Sequence, residues 1–223
     1  MTTIRAVVWD LDGTLLNTLD DLAASVNHAL AVHGMPCRTL DEVRRFVGNG
    51  VANLVARSVP EGTPAHTTAA VLDTFRTHYA RHNMDNTAPY PGILEGLAAL
   101  KAVGVPMAVV SNKLEPAVEV LRQHFFADTL TVAVGDVPGR PVKPAPDSTL
   151  AALARLGVSP EQALFVGDSE VDVLTAQNVG MPMLAVSWGF RDADVLRQSG
   201  ATEVATTPAE AFSYIQERVK KGE

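Results

Sequence analysis

The sequence predicts an α/β fold: a Rossmann-like parallel sheet core interrupted by an inserted all-helical domain. Three observations carry this. Short apolar runs alternate with helical segments from Pro91 onward. The first apolar run, Val7-Val8-Trp9, ends abruptly in Asp10-Leu11-Asp12-Gly13. Between these regions, from about residue 16 to 85, helical periodicity takes over and the strand rhythm stops.

Residues two apart on a strand face the same side, so Asp10 and Asp12 share a face at a strand tip, beside a backbone that Gly13 frees to turn. An acidic turn explains the same letters, because Asp-Gly is ordinary turn chemistry. Next, Thr18 is placed to cap a helix with Asp20 and Asp21 in its first turn. Leu19, Leu22, Val26, Ala29 and Leu30 recur at helical spacing until Gly34. Thr39-Leu40-Asp41-Glu42 is a capping-box signature for a second helix. Further helices are expected over 49–58 and 66–82, separated by Pro60, Gly62 and Pro64, and Pro89-Tyr90-Pro91-Gly92 marks the return. The domains predicted are therefore 1–15 with 86–223 as the α/β core, and 16–85 as a helical insertion.

In the core, strands are expected over 106–111, 130–134, 163–167 and 183–187. Helices are expected over 93–103, 114–124, 146–156 and 171–179, and Gly104, Gly157 and Gly180 stand where helix C-termini favour glycine. A last helix covers 208–221. Strand–helix–strand at this rhythm means a parallel sheet, whose ligands sit beyond the carboxyl ends of its strands.

Composition narrows the partners. A net charge of −7 with no basic stripe argues against nucleic acid and anionic membranes. No stretch reaches the ~18 apolar residues of a membrane helix, and no signal-peptide pattern precedes Asp10. A single cysteine, Cys37, forms no internal disulfide, which suits a reducing cytoplasm. Oligomeric state leaves no mark on the sequence.

Four strand ends carry polar groups: Asp10 and Asp12; Ser111-Asn112-Lys113; Lys143-Pro144; and Gly167-Asp168-Ser169-Glu170-Val171-Asp172. Each has a plain reading when taken singly: a helix cap, a solvated lysine, an ordinary loop. Together, at the carboxyl ends of one sheet, they describe a single site of carboxylates, a hydroxyl, an amide and a lysine.

This ordered set resembles the haloacid dehalogenase superfamily, specifically its phosphohydrolases. The first motif, Asp-x-Asp-x-Thr, matches Asp10, Asp12 and Thr14; the second, a strand-end Ser or Thr, matches Ser111. The third, a Lys, matches Lys143, and the fourth, Gly-Asp-x-x-x-Asp, matches Gly167, Asp168 and Asp172. A helical insertion between the first two motifs is that family's type-one cap. The likeness is nearest to the phosphoglycolate phosphatases, through Asp10 to Leu15 and through Val47-Gly48-Asn49-Gly50. One departure is Asn17, where relatives often carry Asp.

The resemblance implies a Mg²⁺-dependent phosphatase acting on a small phosphorylated metabolite through an aspartyl-phosphate. Asp10 would be nucleophile and Asp12 the proton carrier. The Asp10 carboxylate, the Asp12 carbonyl and the Asp168 carboxylate would hold the metal, while Ser111, Asn112, Lys143 and backbone N–H groups near Leu11 and Asp12 would cradle the phosphoryl oxygens. Thr14, Gly167 and Asp172 would support the site. Arg44, Arg45, Gly48, Asn49 and Gly50 would form a substrate loop in the cap, although a solvated helix face also explains the two arginines. The rivals are a β-phosphoglucomutase-type mutase or a pyrophosphatase on the same scaffold, and, outside enzymes, a receiver-like or catalytically silent binding module. His78 and His82, four residues apart on a helix, read as surface or packing groups, and Trp188-Gly189 as core packing near the site.

Overall fold

The computed structural model of the chain describes residues 4–48 and 50–219. The chain divides into two compact units, Met1–Leu15 with Pro89–Glu223, and Leu16–Ala88. In chain order, β1 (Ala6–Trp9) is followed by a two-residue strand, β2 (Leu16–Asn17). Four helices come next: α1 (Leu19–Val32), α2 (Leu40–Phe46), α3 (Val51–Ser58) and α4 (Ala65–His82). Then β3 (Ala88–Pro89) pairs with β2. The remaining chain runs α5 (Ile93–Ala102), β4 (Met107–Leu114), α6 (Glu115–Phe126), β5 (Val132–Asp136) and α7 (Asp147–Leu156). It ends β6 (Ala163–Gly167), α8 (Glu170–Val179), β7 (Met183–Val186), α9 (Ala193–Gln198), β8 (Val204–Ala205) and α10 (Pro208–Arg218).

Six strands form one parallel sheet in the order β5-β4-β1-β6-β7-β8. The apolar, β-branched run of β1 is buried on both faces, as a central strand covered by helices must be. Val7 pairs with Met107 on one side and with Leu164 on the other, so the first acidic pair emerges between the ends of β4 and β6. One face packs Val8, Val110, Val134, Leu153 and Phe165 together. On the other face, Trp9 packs against Phe212 of α10 with ring centroids 5.4 Å apart and the planes tilted by 43°.

The helical unit has a separate core, in which Leu22, Val26 and Leu30 of α1 meet Val43, Leu54 and Val55, and Val71, Phe75 and Tyr79 of α4. The capping box at Thr39 and Glu42 forms as the sequence predicts. Among the described residues, no helix is long and apolar enough to cross a membrane.

Three local expectations change. Strand β4 continues to Leu114, so Ser111, Asn112 and Lys113 belong to the strand and do not cap α6. Thr18 stands at the N-cap of α1 but its side chain makes no capping bond; its hydroxyl is buried, and Asn17 Oδ1 instead accepts the Leu19 N–H at 3.2 Å. The helical unit extends to Ala88 instead of ending at 85, because the Asp21 carboxylate accepts the N–H groups of Asn86 and Thr87 and holds them to α1. Strand β8 and helix α9 have no counterpart in the sequence reading, since two residues are too few to show alternation.

Candidate active site

The turn after β1 is built by the backbone. Leu15 N–H donates to the Leu11 carbonyl at 3.0 Å, and Gly13 sits at φ 88°. A side chain at Gly13 would strain that turn and collide with the Asp168 carboxylate. A side chain at Gly189 would meet the same carboxylate and the Gly13 carbonyl. Two glycines thus open the space that Asp168 fills. Trp188 closes this side, donating its indole N–H to the Thr14 carbonyl at 3.0 Å. It is half-buried and bonded to the motif loop, so it serves the site more directly than the core packing the sequence suggested.

Asp168, at the end of β6, is held at both oxygens: Thr14 Oγ1 donates to Oδ1 at 3.0 Å and Phe190 N–H to Oδ2 at 2.6 Å. Four residues on, Asp172 reaches back from the first turn of α8. Its Oδ2 accepts from Ser169 N–H and Oγ at 3.1 and 2.6 Å, while Oδ1 accepts from Lys143 Nζ at 2.7 Å. Lys143 also donates to Asp10 Oδ1 at 2.6 Å and is only 3% exposed, so the ammonium bridges two buried carboxylates. Asn112 fixes the root of this lysine. Its Nδ2 donates to the Lys143 carbonyl at 2.9 Å and its Oδ1 accepts the Lys143 N–H at 2.8 Å. The Asn112 amide is therefore engaged with the Lys143 main chain and positions it. Ser111, 4% exposed, accepts the Lys113 N–H at 3.1 Å.

Asp10, Asp168 and Asp172 place carboxylate oxygens within 4.8 Å of one another, all buried. Burial pushes Asp10 well above the usual carboxylate range; Asp172 and Asp168 add to this, and Lys143 opposes it. Burial likewise raises Asp168 to about 7, with Asp172 adding to the rise and Phe190, Thr14 and Lys143 opposing it. For Lys143, burial works against the charged form, but Asp10 and Asp172 outweigh it and the ammonium holds its proton more firmly than a free lysine. When ionised, three carboxylates and one ammonium leave two negative charges, which a divalent cation would neutralise. The donors are all hard oxygens, with no Cys or His among them, which suits such an ion.

Asp12 lies half-buried beside this group, its Oδ1 accepting from Lys113 Nζ at 3.0 Å. The sequence reading gave Lys113 no role, although its i, i+2 spacing from Ser111 was the available signal. Ser169 was also missed; the Ser-x-x-Asp capping box was its signal. The Phe190 N–H had none, since a backbone donor is invisible in side-chain letters. Arg44, Arg45, Gly48 and Gly50 belong to the helical unit, where Arg45 Nε donates to the Asp41 carbonyl and Gly50 precedes α3. Asn49 lies outside the described residues.

Carboxylates gathered round a buried lysine at the carboxyl ends of a doubly wound parallel sheet mark the candidate active site of an α/β protein. The sequence profile of the haloacid dehalogenase-like hydrolases matches residues 7–186, and the chain belongs to that family. A phosphoglycolate phosphatase of Thiobacillus denitrificans is 36% identical over 216 residues, covering 93% of this chain and 94% of that one. One of Rhodospirillum rubrum is 38% identical over 196 residues, covering 83% of this chain and 80% of that one. A crystal structure from Lactobacillus delbrueckii subsp. bulgaricus, to which the same activity is ascribed, superposes with a TM-score of 0.92 at 34% identity, covering 96% and 99% of the two chains. The chain is thus a hydrolase similar throughout to phosphoglycolate phosphatases.

Proposed function

We propose that this hydrolase is a phosphatase that removes the phosphoryl group from a small phosphomonoester of the phosphoglycolate kind, through an aspartyl-phosphate on Asp10. The observation that carries the reading is the lysine bridge: Lys143 Nζ bonds Asp10 at 2.6 Å and Asp172 at 2.7 Å, at the edge of an acidic trio. Among the carboxylates of the described residues, Asp10 alone lies both at the tip of the central strand and against the buried ammonium. That position suits a nucleophile whose charge must be steadied while it approaches a phosphate dianion.

Mg²⁺ is the ion we assign, held by Asp10 and Asp168 with the Asp12 carbonyl and supported by Asp172; when bound it offsets the negative charge of nucleophile and substrate. In the first half-reaction an Asp10 carboxylate oxygen bonds to phosphorus as the bond to the leaving oxygen breaks. The Asp12 carboxyl group donates its proton to that oxygen. In the second half-reaction a water oxygen bonds to phosphorus and the bond to Asp10 breaks, restoring its carboxylate. Asp12 takes the proton from the water and is reset. Lys143 and Ser111 face the phosphoryl oxygens, and Asn112 holds Lys143 in place. Selection of the rest of the substrate by Arg44, Arg45, Gly48, Asn49 and Gly50 of the helical unit belongs to the same proposal.

The test is phosphate release across a panel of small phosphomonoesters, with Mg²⁺ and with EDTA, for the wild type and Asp10→Asn. The reading expects Mg²⁺-dependent release that the variant loses. Turnover by Asp10→Asn at the wild-type rate would remove Asp10 as nucleophile. Isomerisation of a sugar phosphate without release would make the site that of a mutase.

A further inference from the structure

We propose that Lys113 determines specificity by receiving a carboxylate carried by the leaving alcohol, beside the ester carbon. This rests on the phosphatase reading above. Among the described residues around the acidic trio, two ammonium groups pair with aspartates, and they are placed very differently. Lys143 is 3% exposed and lies between Asp10 and Asp172, where the phosphoryl group would be transferred. Lys113 pairs with Asp12 at 3.0 Å, with the two side chains 10% and 19% exposed. Lys113 is thus beside the carboxylate that faces the leaving oxygen, on the more open side of the site.

The local chain suits a lysine with a fixed root and a movable head. Ser111 and Lys113 stand two apart on β4, and Ser111 Oγ accepts the Lys113 N–H at 3.1 Å. The register between β4 and β5 shifts between Val110 and Leu114, so these residues leave the regular ladder just where the site begins. Four rotatable bonds carry the ammonium beyond that anchor, and a compact point charge changes partners more readily than a bidentate guanidinium. Asp12 must come within about 3 Å of the leaving oxygen to pass it a proton. A carboxylate one carbon beyond that oxygen then lies within reach of an ammonium already 3.0 Å from Asp12. In the proposed role, rotation of the Lys113 side chain carries its ammonium from Asp12 to the substrate carboxylate. A neutral leaving group offers no such partner and leaves Lys113 on Asp12.

The experiment compares kcat/KM for 2-phosphoglycolate and for ethyl phosphate, which differ by the carboxylate, in wild type, Lys113→Met and Lys113→Arg. Lys113→Met is expected to lower the ratio of the two values by about 10- to 100-fold, as the loss of one charge-assisted contact would. Lys113→Arg, which keeps the charge but exchanges partners less readily, is expected to restore part of that ratio. An unchanged ratio in Lys113→Met, with both values falling together, would mean that Lys113 only positions Asp12 and would overturn the proposal. A wild type that hydrolyses neither ester would overturn the phosphatase reading itself, and a ratio unchanged in an active enzyme would overturn only the role of Lys113.

Discussion

Asp10 and Lys143 hold each other in place against the cost of burying both. The ammonium is 3% exposed and satisfied by two carboxylates, so removing it strands like charges in a dry setting. Lys143→Met is expected to cost about 3–5 kcal/mol of stability, as breaking one side of a buried ion pair does. Urea unfolding measures it, and wild-type stability would mean the pair is not the support described. On the proposed mechanism, Asp12 gives its proton to the leaving oxygen in the first half-reaction. Asp12→Ala is expected to slow alkyl phosphates far more than activated aryl phosphates, whose leaving groups need no proton; equal losses in steady-state assays would remove it as general acid. At this scale the cluster of Asp10, Lys143, Asp168 and Asp172 was legible in the sequence, because side-chain identity and strand-end position carry the signal. The Lys113–Asp12 pair was not, because the partners stand 101 positions apart and only the parallel register of β1 and β4 joins them.

Helices α1 and α4 show how an element can conceal a titrating group. His28 stacks on His78 with ring centroids 4.1 Å apart, and His78 stacks on His82 at 4.3 Å. Ser25 Oγ lies 3.0 Å from His78 Nδ1, and Asp85 Oδ2 lies 2.8 Å from His82 Nδ1. Burial, then the neighbouring rings of His28 and His82, hold His78 below the ordinary histidine value, with Asp85 opposing. The native state therefore binds this proton less readily than the unfolded chain does. Its stabilising share is whole above about pH 6.5 and is lost as pH falls from there toward the lowered value. Urea midpoints measured from pH 7.5 to 5 should fall less steeply in His78→Gln than in wild type, and parallel curves would sink the idea. The expectation of His78 and His82 as surface or packing groups suits this stack; among the described residues, the metal-compatible cluster is the aspartate trio. The element also depends on Asp21, whose carboxylate accepts from Asn86 and Thr87, side chains and backbone alike. Asp21→Ala is expected to cost about 2–3 kcal/mol by losing hydrogen bonds to a charged group, read as a lower melting temperature.

At the scale of the whole molecule, the helical unit and the sheet unit each have an apolar core of their own among the described residues. Phe75 is fully buried in the helical core, and Phe165 is fully buried in the sheet core. Phe75→Ala and Phe165→Ala should each cost about 3–5 kcal/mol in the unit that contains it. Followed by helix-sensitive circular dichroism and by urea, each variant should shift one unfolding transition and leave the other. A single transition moved equally by both would mean the units unfold as one.

The sequence by itself determined the alternation of strands and helices, the helical insertion and the principal acidic and lysine side chains. Periodicity and motif spacing are local properties, written within a few residues. Tertiary structure alone decided that Asn112 grips Lys143, that Lys113 meets Asp12, that the side chain of Asn17 and not that of Thr18 bonds the start of α1, and that a backbone N–H at Phe190 steadies Asp168. The long-range contacts depend on how strands far apart in the chain lie side by side, and the last on backbone donors that no side-chain letter records.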